Sequence, residues 1–299
     1  MSVSGEQERS VIQYYGRAAE EYDKEYEIPY FKKLYDKITW RYVEPYLPES
    51  GVVLDAGGGT GKWTIPMVKK GLKVVLYDIS REMLNVARRK IMREQLENMV
   101  VFKEGDICRI DFPDNCFDFV LAEGDPISYC SNPDRAVGEL ARVLKPGCFI
   151  AAGVDSLFSV ARGMLVRKAP EEALKVLREK RFFAEAWGFH CWAFSPSDLR
   201  SLFEKNGLEV VKIVGKTVAY VSRPETEPLL QDEEKAEKLL ELELMLCEEP
   251  SIVGYGGHLH IVAKKGKLII SRVSCDMGLG WSRGAQCFQQ GVQRSTAAG

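Results

Sequence analysis

Residues 52–61 read Val52-Val53-Leu54-Asp55-Ala56-Gly57-Gly58-Gly59-Thr60-Gly61. An apolar run that ends in an acid, gives way to glycines and continues through Lys62-Trp63-Thr64 into helical spacing is a buried parallel strand turning sharply into a helix. Glycine permits positive φ and lets a ligand come close to the backbone. The helix behind it turns unpaired N–H groups toward that ligand. A dinucleotide fingerprint needs Gly or Ala three positions after its second glycine. Counted from Gly57 and Gly59, that position is Lys62, which disfavours a nicotinamide dinucleotide. The pattern that fits is D-x-G-x-G-x-G over Asp55, Gly57, Gly59 and Gly61.

Working outward, a helix runs to about Lys70 and stops at Gly71, a usual C-terminal residue. Lys73 to Tyr77 then forms a short buried strand ending on Asp78, 23 positions after Asp55. That is close to the ~20 residues at which a nucleotide-binding α/β unit sets a carboxylate on ribose hydroxyls. The alternative for Asp78 is a helix-start acid, with Ser80 as the N-cap. A helix from Arg81 to about Arg93 places Met83, Leu84, Ala87 and Ile91 on one side. Strands follow at Val100–Lys103, before Glu104-Gly105-Asp106-Ile107, and at Phe117–Ala122, before Glu123-Gly124-Asp125-Pro126-Ile127-Ser128-Tyr129. Pro133 opens a helix that ends at Lys145-Pro146-Gly147, and Cys148–Asp155 is the fifth strand. Strands alternating with helices give a parallel sheet, whose ligands sit outside the carboxyl ends of its strands.

The glycine pattern, Asp78, the E-G-D-I string and E-L-A-R-V-L-K-P-G at 139–147, in this order and spacing, resemble class I S-adenosylmethionine-dependent methyltransferases. The last string is similar to the ubiquinone/menaquinone-biosynthesis type and its small-molecule relatives. The resemblance implies an α/β, Rossmann-like seven-stranded sheet, six strands parallel and one antiparallel, with helical lid insertions. S-adenosyl-L-methionine is the cofactor it implies, with Asp106 and Ile107 at the adenine. It also implies cofactor contacts from Asp55, Gly57, Gly59, Gly61, Asp78, Ile79 and Glu123. Ala18-Ala19-Glu20-Glu21-Tyr22-Asp23 looks like the segment that closes over the methionine end in such enzymes, which makes Tyr15 and Tyr22 contacts there.

The same pattern predicts a sixth strand at Leu208–Val214, after a helix capped by Ser195-Pro196-Ser197-Asp198, and an antiparallel seventh at His258–Lys264. The methyltransferase domain then occupies 1–265, with an N-terminal helical cap over about 1–48. Two lid insertions, 156–194 and 216–256, are surplus, the second holding a charged helix from about Gln231 to Glu249. Both lie over the active-site edge. Residues 266–299 read as a tail or non-native appendage, with an optional edge strand at Lys267–Val273.

A sulfonium methyl is already electrophilic, so alignment of an acceptor supplies much of the catalysis, on the order of 7–11 kcal/mol in favourable cases. Oxygen or carbon acceptors gain from a base. His190 in the first insertion, His258, Asp125 and Tyr129 are the residues placed to act. His258 and His260 share a strand face, but no third ligand accompanies them and no metal is expected. Phe182, Phe183, Trp187, Phe189, Trp192 and Phe194 either hold the lid together or wall a pocket for a planar acceptor or an amine over ring faces.

In a chain of 299 residues, 45% hydrophobic and 28% charged residues describe a globular protein with a sizeable core. A net charge of −2 gives no footprint for a phosphate backbone, so nucleic acid is disfavoured as substrate. Eight cysteines without a C-x-x-C pair, and no apolar leader or spanning stretch, point to a reduced cytoplasm. The leading expectation is methyl transfer to a small molecule. The competing ones are methylation of a protein or tRNA, and a non-catalytic cofactor-binding module. The acceptor and the oligomeric state are not set by the sequence.

Overall fold

The computed structural model describes residues 3–266, apart from Lys168 and Val221. The strands are β1 (Val52–Ala56), β2 (Lys73–Asp78), β3 (Val100–Glu104), β4 (Phe117–Ala122), β5 (Leu144–Asp155), a hairpin of β6 (Arg181–Ala184) and β7 (Phe189–Trp192), β8 (Leu208–Lys216) and β9 (His258–Lys265). Seven form one sheet in the order β3-β2-β1-β4-β5-β9-β8. All neighbouring pairs are parallel except those of β9, which runs antiparallel to both β5 and β8. The expected six-plus-one sheet is therefore present.

Strand β1 is buried along its whole length, as a strand covered by helices on both faces must be. One side of the sheet packs Leu54, Val75, Val120 and Ile150 with Leu140, Leu199 and Phe203. The other packs Val53, Val74, Leu76 and Phe119 against Met67, Leu84, Ala87 and Ile91. Helix starts follow local chemistry. Ser80 caps Arg81–Arg93 by accepting from Met83 N at 3.3 Å, and Asn132 caps Pro133–Val143 through Arg135 N at 3.0 Å. Strand order reverses between β1 and β4, so the crevice lies at their carboxyl ends.

Three boundaries differ from expectation. β5 begins at Leu144, because Phe117 pairs with Leu144 and Phe119 with Phe149, so the Lys145-Pro146-Gly147 turn becomes an irregularity inside the strand. The charged helix expected over about 231–249 is Glu233–Leu246, and a further helix, Arg223–Gln231, precedes it. Asp232 separates them, its Oδ1 accepting from Lys235 N at 3.1 Å as an N-cap. The insertion after β5 ends in the hairpin β6–β7. Residues 267–299, including the optional edge strand, lie outside the described residues. The helices of 223–246 brace the N-terminal segment: Leu230, Ala236 and Leu239 pack with Leu34, Ile38 and Tyr42, and Tyr30 Oη donates to Thr217 Oγ1 at 3.1 Å.

Candidate functional site

A cavity of about 380 Å³ opens at the carboxyl ends of β1, β2, β3 and β4, within the roughly 300–1,000 Å³ of small-molecule sites. Its floor is the glycine loop. Gly57 N and Gly58 N both donate to Tyr77 O, at 2.7 and 3.3 Å, which ties the loop to the end of β2. Gly57 has φ +72°, and a Cβ there would stand 2.6 Å from Pro126 Cβ, so only glycine lets the two loops meet.

Asp78 lies across this loop, fully buried, with Oδ2 accepting from Gly59 N at 2.9 Å and Oδ1 from Ser80 N at 2.8 Å. Both readings of this residue's neighbourhood hold together: Ser80 is the cap, and Asp78 still faces the cavity. Burial pushes its carboxyl up to about 6, against the pull of those backbone N–H groups. Each oxygen keeps a lone pair for a further donor. Asp106 also lines the cavity, one oxygen held by Cys108 N at 2.9 Å and the other free of that bond. Ile79, Met83 and Ile107 add apolar lining to the same cavity.

Of the residues expected at the cofactor, Gly57, Gly59, Asp78, Ile79, Asp106, Ile107, Glu123, Tyr15 and Tyr22 line this one cavity, together with Asp125, Tyr129 and His258. Two others, Asp55 and Gly61, do not, nor does His190, expected as a base. Asp55 lies beneath the loop and does not line the cavity, its Oδ2 accepting from Thr64 Oγ1 at 2.6 Å, so it shapes the turn. Burial pushes its carboxyl up to about 7. Gly61 faces away, where a Cβ would meet Leu76 at 3.2 Å, and so serves the packing of the following helix on β2. His190 is exposed on the outer face of the hairpin, 5.1 Å from the Phe183 ring. Strand alternation explains it: Phe189 and Cys191 turn inward, so the residue between them turns out. From the same insertion Trp187 reaches the cavity, whereas Trp192 packs outside it, donating from Nε1 to Cys130 O at 3.2 Å.

Several lining residues went unassigned by sequence reasoning. Lys62 pairs with Asp36 at 2.6 Å and lies 4.1 Å from the centroid of the Tyr26 ring, with Phe31 and Trp63 farther round. Tyr35 stands edge-on to His258 at 5.3 Å. The density of tyrosines before residue 46 was the available signal. Beneath the cavity Glu123 joins Lys216, at 2.8 Å, and His260 Nδ1, all three almost completely buried. Burial pushes the Glu123 carboxyl up, but Lys216 and His260 outweigh it and hold it at about 2. This contact needs Gly153 on β5, where a Cβ would stand 2.7 Å from Glu123 Oε2.

Residues 53–147 match the family model described as a methyltransferase domain. This stretch is similar to methyltransferase domains. The chain is 33% identical over 144 residues to the malonyl-[acyl-carrier protein] O-methyltransferase of Pectobacterium atrosepticum, covering 48% of this chain and 52% of that relative. It is 39% identical over 99 residues to the ubiquinone/menaquinone biosynthesis C-methyltransferase UbiE of Saccharophagus degradans, covering 32% and 39%. The chain thus spans about half or less of the curated relatives it matches. A SAM-dependent methyltransferase from Methanosarcina mazei superposes with TM-score 0.55 at 21% identity, over 76% of this chain and 97% of the other, which shows the shared fold. S-adenosylmethionine is the cofactor of such a domain, and this domain's residues fit it. Asp78 offers two acceptor oxygens for ribose hydroxyls, Asp106 an acceptor for an exocyclic amine, and Ile79 and Ile107 apolar surface for a base.

Proposed function

We propose that the protein transfers the methyl group of S-adenosylmethionine to a small-molecule acceptor by in-line displacement. The observation that carries the reading is the continuity of the cavity. The same space touches the nucleotide-type acids Asp78 and Asp106 at one end and Asp125, Tyr129, Trp187 and His258 at the other. When bound, the cofactor supplies an electrophilic methyl group. The chain's own part is to hold the nucleoside on Asp78 and Asp106, to fix the acceptor beyond Gly57, and to exclude water with the rings of Tyr15, Tyr22, Tyr129 and Trp187. Among the cavity's residues Asp125, Tyr129 and His258 are those that can handle an acceptor proton; His190, outside the cavity, is not one of them.

The N-terminal tyrosines and the insertion hairpin enclose the acceptor end. Tyr15, Tyr129, Phe189 and Trp187 rings contact one another at 5.5–6.3 Å. Such a closed aromatic wall favours a small acceptor over a protein side chain or a tRNA base. No helix among the described residues is long and apolar enough to cross a membrane. Purified protein incubated with methyl-labelled cofactor and a metabolite extract tests the reading. Label in a small molecule supports it, label in protein or RNA redirects it, and binding without transfer makes the chain a cofactor-binding module.

A further inference from the structure

The acceptor end of the cavity is lined by Asp125 after β4 and His258 at the start of β9, and Asp155 at the end of β5 lies behind His258. Asp155 and His258 are register partners across the antiparallel pair. His258 Nε2 stands 3.4 Å from Asp125 Oδ2 and 3.7 Å from Asp155 Oδ1. Asp125 is 5% and Asp155 7% exposed, yet Asp125 Oδ1, Asp155 Oδ2 and His258 Nδ1 are buried without a hydrogen-bond partner. A buried polar atom left unpaired is costly, more so if charged, so three such atoms in one place suit a ligand that pairs with them. Asp125 itself lines the cavity and is held at φ +65°, a left-handed conformation that side chains other than Gly, Asn and Asp rarely adopt.

The charge count shows what that ligand brings. The nearby cations are committed: Lys216 to Glu123 at 2.8 Å and Lys62 to Asp36 at 2.6 Å. Two carboxyl groups are left facing one imidazole. Around them stand the rings of Tyr15, Tyr129 and Trp187, whose faces attract a cation, while the Tyr35 ring already carries Lys216 Nζ 4.2 Å from its centroid. A hydroxyl would give one hydrogen bond and no charge. A carboxylate would add a further acid group beside two carboxyl groups that already crowd one imidazole.

We propose that the methyl acceptor is a primary or secondary amine on an apolar body, bound through its ammonium group at Asp125, with Asp155 and His258 behind it, and methylated on that nitrogen. The inference rests on the methyl-transfer reading above and names its substrate class. An ammonium nitrogen has no lone pair, so one proton leaves first: an N–H bond breaks and an O–H bond forms on Asp125. The freed lone pair then forms the N–CH₃ bond as the S–CH₃ bond breaks. The electrons of that bond remain on sulfur, and the positive charge ends on the methylated nitrogen. Asp125 suits the task because burial raises its carboxyl above the usual range, with His258 and Lys216 pulling down and Glu123 pushing up. Burial raises Asp155 further, and Asp125 adds to it, so the pair retains a proton more readily than an isolated surface acid.

The test uses purified full-length protein saturated with S-adenosylhomocysteine, titrated calorimetrically with 2-phenylethylamine, benzylamine and hexylamine, and with the alcohol and carboxylic-acid isostere of each. At least one amine is expected to bind tenfold or more tighter than both its isosteres and to be methylated when the labelled cofactor replaces its product. Asp125→Asn, which tolerates the left-handed backbone, is expected to bring the amine-to-alcohol ratio within threefold, with Asp155→Asn intermediate. Both variants are expected to keep S-adenosylhomocysteine affinity within threefold. Alcohols or acids binding as tightly as amines overturn the proposal. So do a ratio unchanged in Asp125→Asn, or failure of all nine probes while the cofactor product binds. Tenfold loss of S-adenosylhomocysteine affinity in Asp125→Asn also overturns it, by assigning the pair to the cofactor's own amino group. Failure of the wild-type protein to bind S-adenosylhomocysteine instead removes the methyl-transfer reading itself.

Discussion

Asp78→Asn isolates the contribution of one buried carboxylate to cofactor binding. In the native protein Asp78 accepts from Gly59 N and Ser80 N and presents its remaining lone pairs to the cavity. Two ribose hydroxyls bound to a carboxylate gain about 1.5–3 kcal/mol each, against about 0.5–1.5 for a neutral amide. The expected loss is about 2–3 kcal/mol, or roughly 30–150-fold in Kd. Fold stability at neutral pH changes little, for two opposing reasons. The carboxyl is raised from 3.8 to about 6 by burial, so its ionised form costs the folded state about 3 kcal/mol above that pH. Asn removes that cost but turns its NH₂ toward one of the two backbone N–H donors, at about 1–3 kcal/mol.

The same shift sets a pH signature. A carboxyl whose folded value is raised loses stability as pH climbs from 3.8 through about 6, while affinity for ribose hydroxyls rises over that interval as the carboxylate forms. Calorimetric Kd values for S-adenosylhomocysteine between about pH 5 and 8 are expected to fall steeply up to about 6 and then flatten. Asp78→Asn is expected to lack this step, although Asp55, pushed up to about 7 beneath the loop, still titrates in it. Wild-type-like affinity in the variant, or an intact step, would refute the ribose assignment.

Three further outcomes are expected. Gly57→Ala places a Cβ 2.6 Å from Pro126 at φ +72°, which costs about 1–3 kcal/mol of backbone strain and moves the loop, so cofactor-product affinity drops at least tenfold by calorimetry. Lys216→Met leaves Glu123 buried with only His260 beside it and is expected to lower the free energy of unfolding in urea by about 3–5 kcal/mol, with Glu123→Gln in the same chain restoring at least half. Because the Glu123 carboxyl is held down to about 2 from 4.5, its contribution is complete above 4.5 and is lost as pH falls through about 2. Trp187→Ala removes a cavity wall and is expected to lower kcat/KM for the identified acceptor at least tenfold, whereas Trp192→Ala, outside the cavity, lowers Tm and leaves kcat/KM within threefold.

What the sequence by itself determined is the part of the molecule built from local, directional rules. In a parallel sheet every strand ends on the same edge, so a residue just past β1, β2 or β3 reaches the crevice wherever the intervening helix goes. Gly57, Asp78 and Asp106 were legible for that reason, as were the caps Ser80 and Ser195, which bond within three residues of themselves. Asp55 and Gly61 share the glycine motif but face the packing side, a distinction of φ and neighbour that spacing does not carry. Tertiary structure alone decided the acceptor end. Lys216 meets Glu123 across 93 positions, and His258 meets Asp155 only because β9 returns antiparallel beside β5 in one register. His190 was misplaced because its direction depends on the pairing of a hairpin, and a shift of one residue would have turned it inward. Contacts of this kind are fixed by which strands become neighbours and in what register, and the long chain segments between them leave that choice to the folded whole.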